Sequence, residues 1–176
     1  MSIQKNLLVL SLFLVFSQGA AQAQSPADLN DLEIAHVAYT ADIIDIRYAH
    51  LALALSEDSN VHKFAQTMIR DHSAVNEQAL ALLKKLNVNP QDNFLSKTLQ
   101  KNATDLINEM SQLRGAAFDK RYTQNELAYH QAVNKLVEFS FIPNIENAQV
   151  KSLFQSALTI FKAHEKHAEM IVNNIN

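Results

Sequence analysis

Long stretches of this chain repeat apolar residues every three or four positions, and nowhere do they alternate in twos. That period is the one an α-helix imposes on a buried face. Gly115 to Val133, GAAFDKRYTQNELAYHQAV, shows it best, with Phe118, Tyr122, Tyr129, Val133 and Val137 on one stripe. The same stripe carries Glu126 and His130. A titratable side chain on an apolar face needs a partner, because burying it alone is costly. Helix breakers are scarce, with two glycines and three prolines in 176 residues, so the expected fold class is all-α.

Four long helices and one shorter helix follow from the pattern. The first is expected from about Asp28 to Leu55, capped by Asp28 or Asp31, with Ile34, Val37, Ala41, Tyr48 and Ala52 inward and Asp45 among them. Ser56 to Asn60 is a polar turn, and the second helix runs from about Val61 to Leu86 with His72 on its apolar stripe. A short turn makes these two an antiparallel hairpin. After a loop at Asn87–Asn93, Phe94 to Leu113 is a connecting helix that carries the chain across the bundle, ended by Gly115. The third long helix is expected from Ala116 to about Phe141, broken by Pro143-Asn144. The last runs from about Ala148 to Ile175, with Phe154, Phe161, His164 and Ala168 inward and His167 three residues beyond His164.

Residues 1–23 read as a secretory signal: Lys5, the apolar run Leu7 to Phe16, then Ala21-Gln22-Ala23 as a cleavage site. The mature chain, 24–176, is expected to form one helical domain, periplasmic or secreted, without a spanning segment. Cysteine is absent, which excludes disulfides, thiolate metal sites, a cysteine nucleophile and a lipidated cysteine. A net charge of −3 without a basic stripe points away from nucleic acid. No Gly-rich phosphate loop and no catalytic triad spacing is present.

Each long helix thus places a carboxylate or imidazole on its own apolar face: Asp45, His72, Glu126 with His130, and His164 with His167. Asp45 and His72 stand level across the first turn. Counted from the second turn, His164 falls about six residues, roughly 9 Å, from His130, nearer Tyr122 and Glu126. Imidazoles and carboxylates facing one another inside a four-helix bundle suit a divalent transition metal: zinc, iron, copper or manganese. Neither His72 nor His164 has a glutamate three residues before it, so the usual di-iron pattern is missing. A histidine-rich, carboxylate-poor set favours a mononuclear site. The competing reading is a structural polar network, in which the histidines satisfy one another, backbone carbonyls, or Tyr48, Tyr122 and Tyr129.

The chain also resembles a known family. The matching pieces are Asp45, Val61-x-x-Phe64-Ala65-x-x-Met68-x-x-Asp71-His72, Gly115-Ala116-Ala117-Phe118-Asp119-x-x-Tyr122, His130, and Leu158 with His164 six residues on. Together they resemble the domain-of-unknown-function 4142 family over about residues 30–172. The resemblance implies a ferritin-like four-helix bundle, with a shorter connecting helix between long helices two and three, in a small exported bacterial protein. It brings no agreed activity. Members are often labelled outer membrane proteins, but no barrel pattern is visible here. The family usually has Glu where Asp45 stands, and often Leu-Pro where Leu158-Thr159 stands; His167 is an addition. Two functions are therefore expected to compete. One is metal binding in an envelope stress role, through His72, His130, His164, Asp45, Glu126 and His167. The other is a non-enzymatic envelope protein that works through a protein partner.

Overall fold

A computed structural model describes residues 24–175. The expected secretory signal, residues 1–23, lies outside the described residues. A 3₁₀ turn, Pro26–Asp28, leads into α1 (Asp31–Leu55). Then follow α2 (Ser59–Leu86), α3 (Phe94–Met110), α4 (Gly115–Leu136) and a last helix, α5 (Ala148–Ile175). No strand occurs among the described residues, so the fold is an all-α bundle. No helix among them is long and apolar enough to cross a membrane.

The helix starts are set by local chemistry. Asn30, neither Asp28 nor Asp31, caps α1: its side chain accepts from Leu32 N–H and Glu33 N–H, and Glu33 reaches back to Asn30 N–H. Asp28 instead closes the same kind of box on Ser25 in the preceding turn. Asp31 does a third thing. Its carboxylate accepts from the N–H groups of Glu146 (3.0 Å) and Asn147 (2.8 Å), fastening the start of α5 to the start of α1. Asp58 caps α2, so that helix begins two residues earlier than expected. Gly115 opens α4 rather than only closing α3; its φ of +54° is a left-handed turn that glycine adopts without strain.

α1 packs against α2 and α4, and α5 packs against α2 and α4, so the four long helices stand at the corners of a square. Neighbours are antiparallel. The starts of α1 and α5 and the ends of α2 and α4 share one end of the bundle, tied there by Asp31 and by Gln91 N–H to Leu32 O. α2 and α4 are diagonal, and α3 is the crossover between them. This is two hairpins joined by one long connection, the ferritin-like layout. α3 lies over α1 and buries Ala103 and Met110, which is why α1 is apolar on more than one side.

The end of α4 differs from expectation. Pro143 does not stop the helix at Phe141. A π-helical turn, Val137–Phe141, precedes the helical residues Ile142–Asn144, and Ile142 N–H bonds Val137 O. Pro143 has no N–H to give, and the widened turn lets the chain stay helical past it. The helix therefore runs to Asn144, and the second hairpin closes lower than the sequence suggests.

Asp31→Ala should loosen this end of the bundle. Losing two charge-assisted bonds is expected to reduce unfolding stability by about 1–2 kcal/mol, read from urea denaturation, with helical content unchanged. No change in stability would show that the tie is not formed in solution.

Candidate metal centre

Midway along the bundle the apolar faces of all four long helices give way to polar atoms. α1 contributes Asp42 and Asp45, α2 contributes Asp71 and His72, α4 contributes Glu126 and His130, and α5 contributes His164. All but Asp71 are buried; Asp45 and Glu126 are fully so.

Each histidine has one ring nitrogen held from outside. His72 Nδ1 is 2.8 Å from Asp42 Oδ1. His130 Nδ1 donates to the carbonyl of Glu126 one turn earlier, at 2.9 Å. His164 Nε2 is 2.9 Å from Asp71 Oδ2. Because a carbonyl or carboxylate only accepts, each of these nitrogens carries the proton. The opposite nitrogens, His72 Nε2, His130 Nε2 and His164 Nδ1, are buried with no hydrogen-bond partner. They belong to one cluster. His72, His130 and His164 each offer an atom within 4.8 Å of the others. The rings crowd together, with centroids 5.3 Å apart for His72 and His164 and 5.5 Å apart for His130 and His164. Asp45 Oδ2 lies between two of them, 3.4 Å from His72 Nε2 and 3.5 Å from His130 Nε2. Ligand atoms about 2.0–2.1 Å from one tetrahedral ion stand roughly 3.3 Å apart, close to both spacings.

Charge in the cluster follows from burial and neighbours. Burial works against a charged His72, but Asp45, Asp42 and Asp71 outweigh it and push its pKa up to about 9. Without a metal the site thus keeps one proton where a cation is favoured, between Asp45 and His72. Burial, with the nearby His72, lowers His130 and brings His164 down to about 4, so both are neutral imidazoles with free lone pairs. Burial and then Asp45 raise Glu126 well above the carboxylate range. Glu126 is a neutral acid beside Asp45, and the two share a second grouping with His130. Tyr122 and Tyr48 are held as phenols by burial and the same carboxylates.

The rim is at Asp71. Arg70 grips it with two bonds of 2.6 and 3.0 Å, and both face solvent in part. Phe161 closes the opposite side, stacked on His72 at 4.6 Å and 15°. Asn134 ties α4 to α5 just beyond, donating to Phe161 O and to Glu165.

Of the six residues expected from the sequence, five come together: Asp45, His72, Glu126, His130 and His164. His167 does not join them. Its ring meets Phe64 edge-on at 5.1 Å, three residues further along α5 and toward the other end of the bundle. The expected 9 Å offset of His164 from His130 is also absent, because α4 continues to Asn144 and the turn is correspondingly lower. Asp42 and Asp71, which orient two of the histidines, were not anticipated. Asp42 shares a face with Asp45 three residues on, and Asp71, next to His72, must look toward a neighbouring helix; those spacings were the available signals. Of the other histidines, His50 is exposed, His36 is half-buried 3.9 Å from Asp92, and His62 bonds Ser56 O.

Residues 16–171 match the family described as Domain of unknown function (DUF4142). The chain belongs to that family. No curated protein and no solved structure matches it. The polar cluster of this DUF4142 chain lies wholly within the matched residues.

The neutral state of Glu126 has a measurable consequence. A carboxyl whose folded pKa is raised keeps a proton that the unfolded chain releases above about 4.5. Its contribution to stability is present at acid pH and is lost as pH rises towards the folded value. In metal-free protein, Glu126→Gln should remove that part of the decline, so the gap between variant and parent widens in the variant's favour from pH 5 to 8. Parallel stability curves would show that Glu126 is already ionised when folded.

Proposed function

We propose that this protein binds one divalent transition metal in the bundle core, through His72, His130 and His164 with Asp45. Asp42, the Glu126 carbonyl and Asp71 orient the imidazoles. Glu126 adjoins the site as a neutral acid that can reach a bound ion or a bound water. One observation carries the reading: three histidines cluster with one buried, unpartnered ring nitrogen each, while their opposite nitrogens are pinned from outside. Histidines that bind metal are commonly held this way, by a carboxylate or carbonyl on the far nitrogen. Nitrogen-rich donor sets suit zinc, copper and iron over magnesium or calcium. Three histidines and a carboxylate close a tetrahedron, or leave positions open on a larger coordination shell.

The setting we infer is the bacterial envelope. It rests on the signal-like segment Lys5 to Ala23 and on the family resemblance. There the protein would take up or hold metal as part of an envelope stress role. The rival is a non-enzymatic envelope protein with a structural polar core. Against it stand the unmatched atoms: Tyr129 bonds the Ala41 carbonyl at 3.0 Å and not a histidine, and Tyr122 Oη has no partner. A network selected for structure alone would be expected to satisfy its own members.

Elemental analysis of protein purified without a metal-affinity tag tests this. Near-stoichiometric zinc, copper, iron or manganese is expected, absent from His72→Ala and His164→Ala. Asp42→Asn and Asp71→Asn should keep the ligands and weaken affinity about 10- to 100-fold. Adding the metal should raise the melting temperature of parent protein and leave His72→Ala unmoved. Equal metal content in parent and both histidine variants, or no metal and no thermal response, would sink the assignment.

A further inference from the structure

An apolar cavity of about 150 Å³ adjoins the polar cluster at Asp42 and Phe161, with alanines at 38, 41, 79 and 157 among its walls. It offers a cation almost no ligand. Glu126 and Tyr122 do not line it, and around them the chemistry is different.

Two sets of donors overlap in the core. His72, His130 and His164 form one, and Asp45, Glu126 and His130 form the other, with the atoms of each set within 4.8 Å of one another. The first set is all nitrogen and is drawn from α2, α4 and α5. The second has two carboxylates to one imidazole and is drawn from α1 and α4. An ion held by the three histidines leaves Glu126 Oε2 where it is now, buried and without a partner. Tyr122 Oη, one turn earlier on the same face of α4, is likewise buried and unmatched. Carboxylate oxygen suits manganese, whereas imidazole suits zinc and copper.

His130 decides how the two sets relate. Its Nδ1 donates to the Glu126 carbonyl, so only Nε2 is free to bind an ion. One lone pair serves one ion. The two positions are therefore alternatives and cannot both use His130 at once.

We propose that the core holds its ion in either of two overlapping seats: the nitrogen seat of the three histidines, and an oxygen-rich seat of Asp45, Glu126 and His130 that takes manganese(II). The proposal rests on the reading of the core as a metal site and adds the second seat to it. The oxygen seat is the weaker one, with one imidazole against three and a proton that Glu126 must give up on binding. It empties during purification and fills when manganese is added.

The test measures two metals on metal-free protein. Manganese binding is counted from the loss of the free-ion electron paramagnetic resonance signal, and zinc binding by isothermal titration. The parent is expected to bind one manganese, displaced one for one by zinc. Glu126→Gln, which keeps the size of the side chain, should weaken manganese at least about tenfold and change zinc less than about threefold. His164→Ala should do the reverse, weakening zinc at least about 100-fold and leaving manganese within about threefold. Thermal unfolding confirms that both variants are folded. Manganese affinity untouched by Glu126→Gln, or lost with zinc in His164→Ala, would overturn the oxygen seat. Manganese bound beside zinc in the same molecule would overturn the sharing of His130. A parent that binds zinc but no manganese at millimolar concentration refutes the second seat and leaves the metal reading standing; a parent that binds neither refutes both.

Discussion

The structure turns on polar atoms that an apolar bundle has left without partners. His72 Nε2, His130 Nε2, His164 Nδ1 and both oxygens of Asp45 are buried without a hydrogen-bond partner, the three histidines in one cluster and Asp45 Oδ2 beside two of them. Each such group is destabilising by about 1–3 kcal/mol, and together they approach the whole net stability of an ordinary domain. A positive charge placed among them relieves that. In the metal-free chain a proton on His72 does so in part, held there by the surrounding carboxylates. A divalent cation, bound as proposed, would do it better, because it would engage three lone pairs and a carboxylate at once where a proton engages two atoms.

The same atoms join the helices. Asp42 connects α1 to α2 through His72, Asp71 connects α2 to α5 through His164, and Asp45 stands between α2 and α4. The cluster therefore links the two hairpins, which the chain itself joins only through α3. Site geometry and bundle geometry are one problem: metal binding that draws the nitrogens together also draws the helices together, so binding free energy is in part folding free energy. The caps at Asn30 and Asp58 and the Asp31 tie fix the ends, and they set the heights at which the middle residues meet.

Much of this was legible in the sequence because a titratable residue on an apolar stripe is conspicuous. Asp45, His72, His130 and His164 stand out on that ground alone, and so do the helices that carry them. What was not legible depended on neighbours in space. Asp42 and Asp71 look like ordinary solvated acids until another helix is placed opposite them. The height of His164 depended on where α4 ends, and Pro143 reads as a stop unless a π turn is foreseen. His167 shares the spacing of a metal pair with His164, yet three residues rotate it far enough to meet Phe64. The cavity left no trace at all. Alanines on an inward stripe signify close packing when helices approach and empty space when they do not, and a sequence does not give interhelical distance.

Phe161 joins these features in a way that bears on chemistry. One face of its ring lies on His72, and the ring also forms a wall of the apolar cavity. Asp42 likewise holds His72 Nδ1 and lines that cavity. The two side chains that set the orientation of one histidine of the cluster therefore also wall the cavity. Close-packed interiors transmit displacement instead of absorbing it, so the packing of Phe161 fixes the position of the His72 ring. The π turn at Val137–Phe141 lines the same space from α4, where the helical ladder is already widened and more easily adjusted. Polar cluster and apolar cavity thus meet at shared walls, so the side chains that orient His72 also bound the empty apolar space beside it.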